Sequence, residues 1–352
     1  MPSPLGPVLQ AGGSLPLPSS GESHMSESCR LIISLDVEEE GLFSGTYPRI
    51  APGVTNVALL ERLAFLPDAL QLPLTYLIDY PVTQQDDALR AVAGMMERHG
   101  GEIGAHLHQW NTPPFVDMPW PEPVGSDKLP EEVFAAKLET LTSAIEERLG
   151  VRPQSFRMGR WDMRPRLLPA LAEEGYLVDS SFVPLRHVTN GPNHFLTPPD
   201  PFWMRPMGPD GPRMLEAPST QIPLIPGLER LAYGLAGVLP GHVGETVLTG
   251  FKTWGALGIN PVWMPLATMK YAAATHIKRG GRTLTMFWHS SELLPGASPH
   301  FPTQSHVDAF IDKIRTFAEW LTTKHTVRGA TFSDLVELDW LERELPGERG
   351  TQ

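Results

Sequence analysis

From Arg30 onward, short apolar runs bounded by polar turns alternate with longer stretches whose apolar residues recur every three or four positions. Arg30 to Leu35 predicts a buried strand and Thr55 to Leu70 a helix. Pro73 to Asp79 predicts a second strand, followed by a helix over Asp87 to Arg98 that Gly100 and Gly101 close. Glu102 to Trp110 predicts a third strand. After a proline-rich loop, a long helix begins beyond Pro130, runs from Glu131 to Leu149 and stops at Gly150. Strand, helix and strand recur at Gln154 to Met158, Pro165 to Glu174, and Tyr176 to Asp179. Thr283 to Trp288 reads as another apolar strand, and Ser305 to Lys324 as an amphipathic helix. Gly329 to Phe332 reads as a short strand before a last helix.

About seven strands alternating with helices imply an α/β fold with a parallel sheet. A distorted (β/α)7 barrel, similar to a TIM barrel, is expected rather than an open sheet. The polar residues of interest follow the ends of several separate strands, which is how barrels assemble sites. Pro184 to Arg282 is less regular, and its apolar helical part, residues 227–278, is expected as an insertion packed on the barrel. The barrel domain is expected over residues 29–345, with tails at 1–28 and 346–352. The first tail is rich in Pro, Gly and Ser, so Met25 is a candidate start.

Composition narrows the function classes. A chain of 352 residues with 41% apolar content describes a globular protein. Its formal charge of −12 argues against nucleic acid and against an anionic membrane surface. The single cysteine, Cys29, excludes an internal disulfide. There is no run of eighteen apolar residues and no export signal at the start, so no membrane span and a cytoplasmic location are expected. Nothing in the pattern fixes an oligomeric state.

Glu102-Ile103-Gly104-Ala105-His106-Leu107-His108-Gln109-Trp110 is the most informative stretch. Strand side chains alternate faces, so His106 and His108 leave from one side and are able to close on one cation. After the first strand, Asp36 and Glu38 likewise share a face, while Glu39 and Glu40 read as a solvated acidic turn. Glu38, His106 and His108 then make three N/O ligands, the number that catalytic zinc sites use while leaving a position open for water. Arg157 ends a third strand and is expected to pair with Asp36, and Gly159 to permit close backbone approach. Asp179 and His289 end two further strands, and His289 is placed to lend a proton to a leaving group. The remaining nine histidines, among them His99, His187, His194 and His300, read as solvent-exposed. Trp110, Trp120 and Trp161 lie near these clusters along the sequence, and Trp288 suits the core.

These five clusters, in this order, resemble the polysaccharide deacetylases with a NodB-type domain, carbohydrate esterase family four. The resemblance spans about Arg30 to Leu335, with residues 227–278 as an addition. It implies Asp36 as base, Glu38 as metal ligand, His106 as the first histidine of the second motif, Arg157-x-Gly159 as the third motif, Asp179 as the fourth, and His289 as acid. The family's second motif usually has histidines four apart, whereas the fourth position here is Trp110, so His108 substitutes. The implied activity is removal of an acetyl group from an N-acetylated sugar with a divalent metal, zinc foremost. The sugar would be a nucleotide- or lipid-linked intermediate of cell-surface glycan synthesis. Trp110, Trp120 and Trp161 would suit stacking on its ring with Gly159 also at the substrate, and Asp179 would keep His289 protonated. Two alternatives stay open: hydrolysis of another amide or ester by the same site, and a non-catalytic sugar-binding relative.

Overall fold

The computed structural model describes residues 28–338, apart from 46, 51 and 190. The expected tails, Met25 among them, lie outside the described residues. The strands are β1 (Cys29–Val37), β2 (Leu74–Ile78), β3 (Glu102–Leu107), β4 (Ser155–Met158), β5 (Val178–Asp179), β6 (Phe202–Met204), β7 (Met214–Glu216), β8 (Gln221–Pro223), β9 (Ala256–Gly258), β10 (Thr283–His289) and β11 (Val327–Ala330). One sheet runs β10-β1-β2-β3-β4-β5-β7-β6, with β11 beside the start of β1. The pairs are parallel except β6 with β7.

This is the expected barrel in a curled and incompletely closed form. Arg157 on β4 reaches Asp36 and Ser34 on β1, three strands away, which a flat sheet does not allow. Between β7 and β10 no ladder forms among the described residues. The Thr220 N–H donates to the Thr285 carbonyl at 3.0 Å, and the Thr285 N–H donates to Thr220 Oγ at 2.7 Å. With the Arg282 and Thr283 N–H groups donating to Asp200 Oδ1 and Asn260 Nδ2 to the Phe287 carbonyl, this bridge spans the gap.

Alternation along each strand separates two layers. Leu31, Ile33, Leu35, Tyr76, Ala105, Phe156 and Trp288 face the surrounding helices. Ile32, Leu77, Val178 and Leu215 point into the barrel, where Phe332 and Leu335 join them from below. Phe332 belongs to the helix Phe332–Val336 and not to the last strand, as its sequence context had suggested. Thr331 caps this helix by accepting from the Asp334 N–H, and the helix plugs the bottom of the barrel. Polar chemistry is thereby confined to the other end.

The helices over Asp86–His99, Glu131–Leu149 and Gln304–Lys324 sit close to their expected positions. Thr55–Leu63 instead winds as a 3-10 helix before the short helix Phe65–Leu70. The irregular stretch holds strands β6 to β9 as well as the helices Leu228–Val238, Gly241–Trp254 and Leu266–Lys278. No helix of the described residues is long and apolar enough to cross a membrane.

Candidate metal centre

Glu38, His106 and His108 meet above the barrel. Their ligand atoms lie within 4.8 Å of one another, and all three residues are buried. The Glu38 Oε2 atom stands 3.2 Å from His106 Nε2 and 3.4 Å from His108 Nε2. Each imidazole is oriented from behind. His106 Nδ1 donates to the Arg157 carbonyl at 3.0 Å, and His108 Nδ1 contacts Glu39 Oε2 at 2.8 Å. A carbonyl only accepts, so His106 carries its proton on Nδ1 and turns the Nε2 lone pair toward Glu38. The Glu39 carboxylate sets the same tautomer for His108.

Two lone pairs thus face a carboxylate, an arrangement that repels unless a proton or a cation lies between them. Burial first, then the charges of Asp36, Glu39, Asp79 and Glu292, push the Glu38 carboxyl well above its usual range. Its Oε1 atom is buried without a hydrogen-bond partner. Burial, only partly countered by Asp36, holds His106 down at about 3, in its neutral, ligating form. The donor set therefore fits a divalent cation.

Glu39 corrects the expectation of a solvated turn. It is fully buried and also accepts from Trp110 Nε1 at 2.9 Å. Burial raises its carboxyl, but His108 and Trp110 outweigh this and bring it to about 2. Asp79, pushed up by burial and by Glu39, accepts from the Glu39 N–H at 2.9 Å. The Trp110 ring stacks on His108 with centroids 4.3 Å apart. Trp110 thus braces His108 and Glu39 besides lining the pocket.

Gly159 permits the expected close approach, and the group it admits is His108: a Cβ there would meet His108 Cδ2 at 2.2 Å.

Asp36 and His289 are register neighbours on β1 and β10, with His289 Nε2 3.8 Å from Asp36 Oδ2. Arg157 Nη1 donates to Asp36 Oδ1 at 2.5 Å. Burial alone would raise the Asp36 carboxyl, but Arg157, His106 and His289 hold it below its ordinary value. Burial would lower His289, yet Glu292 and Asp36 raise it. Glu292 Oε2 lies 3.3 Å from His289 Nδ1, a charge contact off the line of a hydrogen bond.

The expected pairing of Asp179 with His289 is not made. Asp179 stands in register with Phe156 and Glu216, on the pleat opposite to inward-facing Val178. It accepts from Ser181 Oγ, and burial raises it to about 6 beside Glu216. Glu292, three residues after His289, is the carboxylate that stands beside its Nδ1 instead. Sequence reasoning passed over it, although the i, i+3 spacing of a capping box was its signal.

The pocket above the centre, about 210 Å³, is walled by Phe43, Tyr47, Trp110, Arg160, Trp161 and Trp263 among others. Trp288 is buried in the core, and Trp120 is exposed beside Lys128, outside the pocket lining. Two histidines read as exposed are buried: His194, stacked on Phe182, and His276, against the Thr283 carbonyl.

No family model and no curated protein matches this chain. Solved structures do. A Mycobacterium smegmatis protein assigned as a polysaccharide deacetylase is 17% identical, with 96% of this chain and 99% of that one covered and a TM-score of 0.54. A Parabacteroides distasonis protein assigned as a glycoside hydrolase or deacetylase is 14% identical, covering 91% and 73%, with a TM-score of 0.53. A 4-alpha-glucanotransferase from Thermococcus litoralis is 12% identical, covering 89% and 41%, with a TM-score of 0.52. The chain has the NodB-type fold of the polysaccharide deacetylases, a curled half-barrel of parallel strands.

Proposed function

We propose that this protein is a metal-dependent hydrolase that removes the acetyl group from an N-acetylated sugar, in the synthesis of a cell-surface glycan. The observation that carries this reading is the buried Glu38 carboxyl facing the Nε2 atoms of His106 and His108, beside an Asp36 held ionised by Arg157. A divalent cation held by these three ligands, zinc by the preference of such N/O sets, supplies carbonyl polarisation and a reactive water when bound.

The remaining roles fall to the chain. Asp36, below the usual carboxylate range, is the group that takes the proton of the attacking water. His289, raised by Glu292 and Asp36, carries a proton for the leaving amine nitrogen. The C–N bond breaks as that proton arrives, giving acetate and a free amino sugar. Arg157 and Ser34 keep Asp36 aimed into the pocket, and Trp161 with Tyr47 gives the sugar ring apolar faces. Acetate release from N-acetylhexosamine donors by zinc-loaded protein, lost with a chelator and restored by metal, is the test. Full activity in the chelator would overturn the proposal.

A further inference from the structure

A second cavity, of about 510 Å³, shares Trp161 and Trp263 with the pocket above the metal centre. It lies between the barrel and the helix Gly241–Trp254, which contributes Thr249, Lys252 and Thr253 to its lining. Val183, Leu185, Val188, Met264 and Phe287 make much of its wall apolar. Two cations stand in it. Arg186 lies over the Trp161 ring at 5.4 Å and donates to the Arg160 carbonyl at 3.3 Å, and Lys252 is exposed at the rim.

Neither Arg186 nor Lys252 has a carboxylate within ion-pair distance among the described residues, although acidic side chains outnumber basic ones by 40 to 28. Arg160, in the lining of the smaller pocket and joined to Arg186 through its carbonyl, is likewise without an acid among the described residues and donates to the Tyr47 hydroxyl at 2.8 Å. Cations left unpaired beside apolar walls suit an anion joined to an apolar body. The backbone is strained at the same place. Arg160 (φ 62), Trp161 (φ 53) and Leu185 (φ 62) occupy the left-handed region, where non-glycine residues persist only if their surroundings hold them, typically at ligand sites.

We propose that this second cavity holds the aglycone of the substrate, a phosphate-linked apolar group. The substrate is then an N-acetylated sugar phosphoester and not a neutral glycan chain. The proposal rests on the hydrolase reading above: the sugar occupies the smaller pocket, the phosphate meets Arg160 and Arg186, and the apolar body passes Trp161 toward Lys252. A prenyl chain is such an apolar body, whereas a nucleoside shares the phosphate and offers only the faces of its base to the apolar wall.

Calorimetry on the full chain with farnesyl phosphate, uridine monophosphate and inorganic phosphate tests it without turnover. One of the two organic phosphates should bind at least roughly tenfold tighter than inorganic phosphate, a difference of about 1.4 kcal/mol. Preference for farnesyl phosphate assigns a prenyl carrier, and preference for the nucleotide a nucleoside carrier. Lys252→Glu, at an exposed site that leaves the core intact, and Thr249→Trp, which fills the cavity, should each remove that preference. Equal binding of all three phosphates, or a preference untouched by both variants, overturns the proposal. Acetate release from neutral N-acetylhexosamine oligomers without organic phosphate binding would leave the hydrolase reading and sink this one. Binding without acetate release from any N-acetyl sugar would do the reverse.

Discussion

The Glu38 carboxyl lies among Asp36, Glu39, Asp79 and Glu292, so the charge of this small region depends on what binds between it and the two imidazoles. His289 lies next to Asp36 and, although its ligand atom also comes within 4.8 Å of those of Asp36 and Glu38, it is outside the set of Glu38, His106 and His108 proposed to hold the cation. His289→Ala should therefore keep the cation while turnover falls by roughly 10²–10⁴-fold, the scale of a lost general acid. Metal content and rate on one sample check this. Glu39 orients His108 from behind, so Glu39→Gln should weaken metal affinity by about 10–100-fold, read by competition with a chromogenic chelator. The pH profile follows from two opposed shifts. Asp36 must be ionised, and its lowered value puts the acid limb below the ordinary carboxylate range. His289 must be protonated, and its raised value puts the alkaline limb above about 6.5. Glu292→Gln removes the main anion supporting that proton, so the alkaline limb should move to lower pH. Most of these residues were legible because they end strands. Glu39 was not, since an acidic run looks solvated until Trp110 and His108 are known to close over it.

At the level of elements, the two-residue period of β1, β3, β4 and β10 decides which side chains reach the pocket. Asp36, His106, Arg157 and His289 fall on the inward pleat, with Leu35, Ala105, Phe156 and Trp288 on the outward one. The same rule turns Asp179 away from His289, and applying it to Val178 would have revealed this from sequence. The turn after β4 carries a tighter constraint. Gly159→Ala would drive a methyl group into the His108 ring and the Leu107 carbonyl, so the fold should survive while metal is lost. Circular dichroism beside elemental analysis separates the two effects, and an alanine variant with full metal would show that the ring is free to move. Strands β6 to β9 escaped sequence reading for a physical reason. Each is three residues long, too short for a period to show, and Pro and Gly surround them.

Across the whole molecule, the barrel's two ends have different tasks. The helix Phe332–Val336 seals one end with Phe332 and Leu335, and the site opens at the other, where the strands finish. The alternation of strands and helices made this architecture legible, because parallel strands all deliver their carboxyl ends to one face. The incomplete closure between β7 and β10 was not legible, since it depends on Asp200, Thr220 and Asn260 inside the irregular stretch. The central claim, one cation shared by Glu38, His106 and His108, is tested most directly by metal content. Zinc-loaded protein freed of excess metal should hold one ion per chain, and His106→Ala and His108→Ala, each shown to be folded, should hold none. One ion per chain in wild type and in both folded variants would contradict the claim.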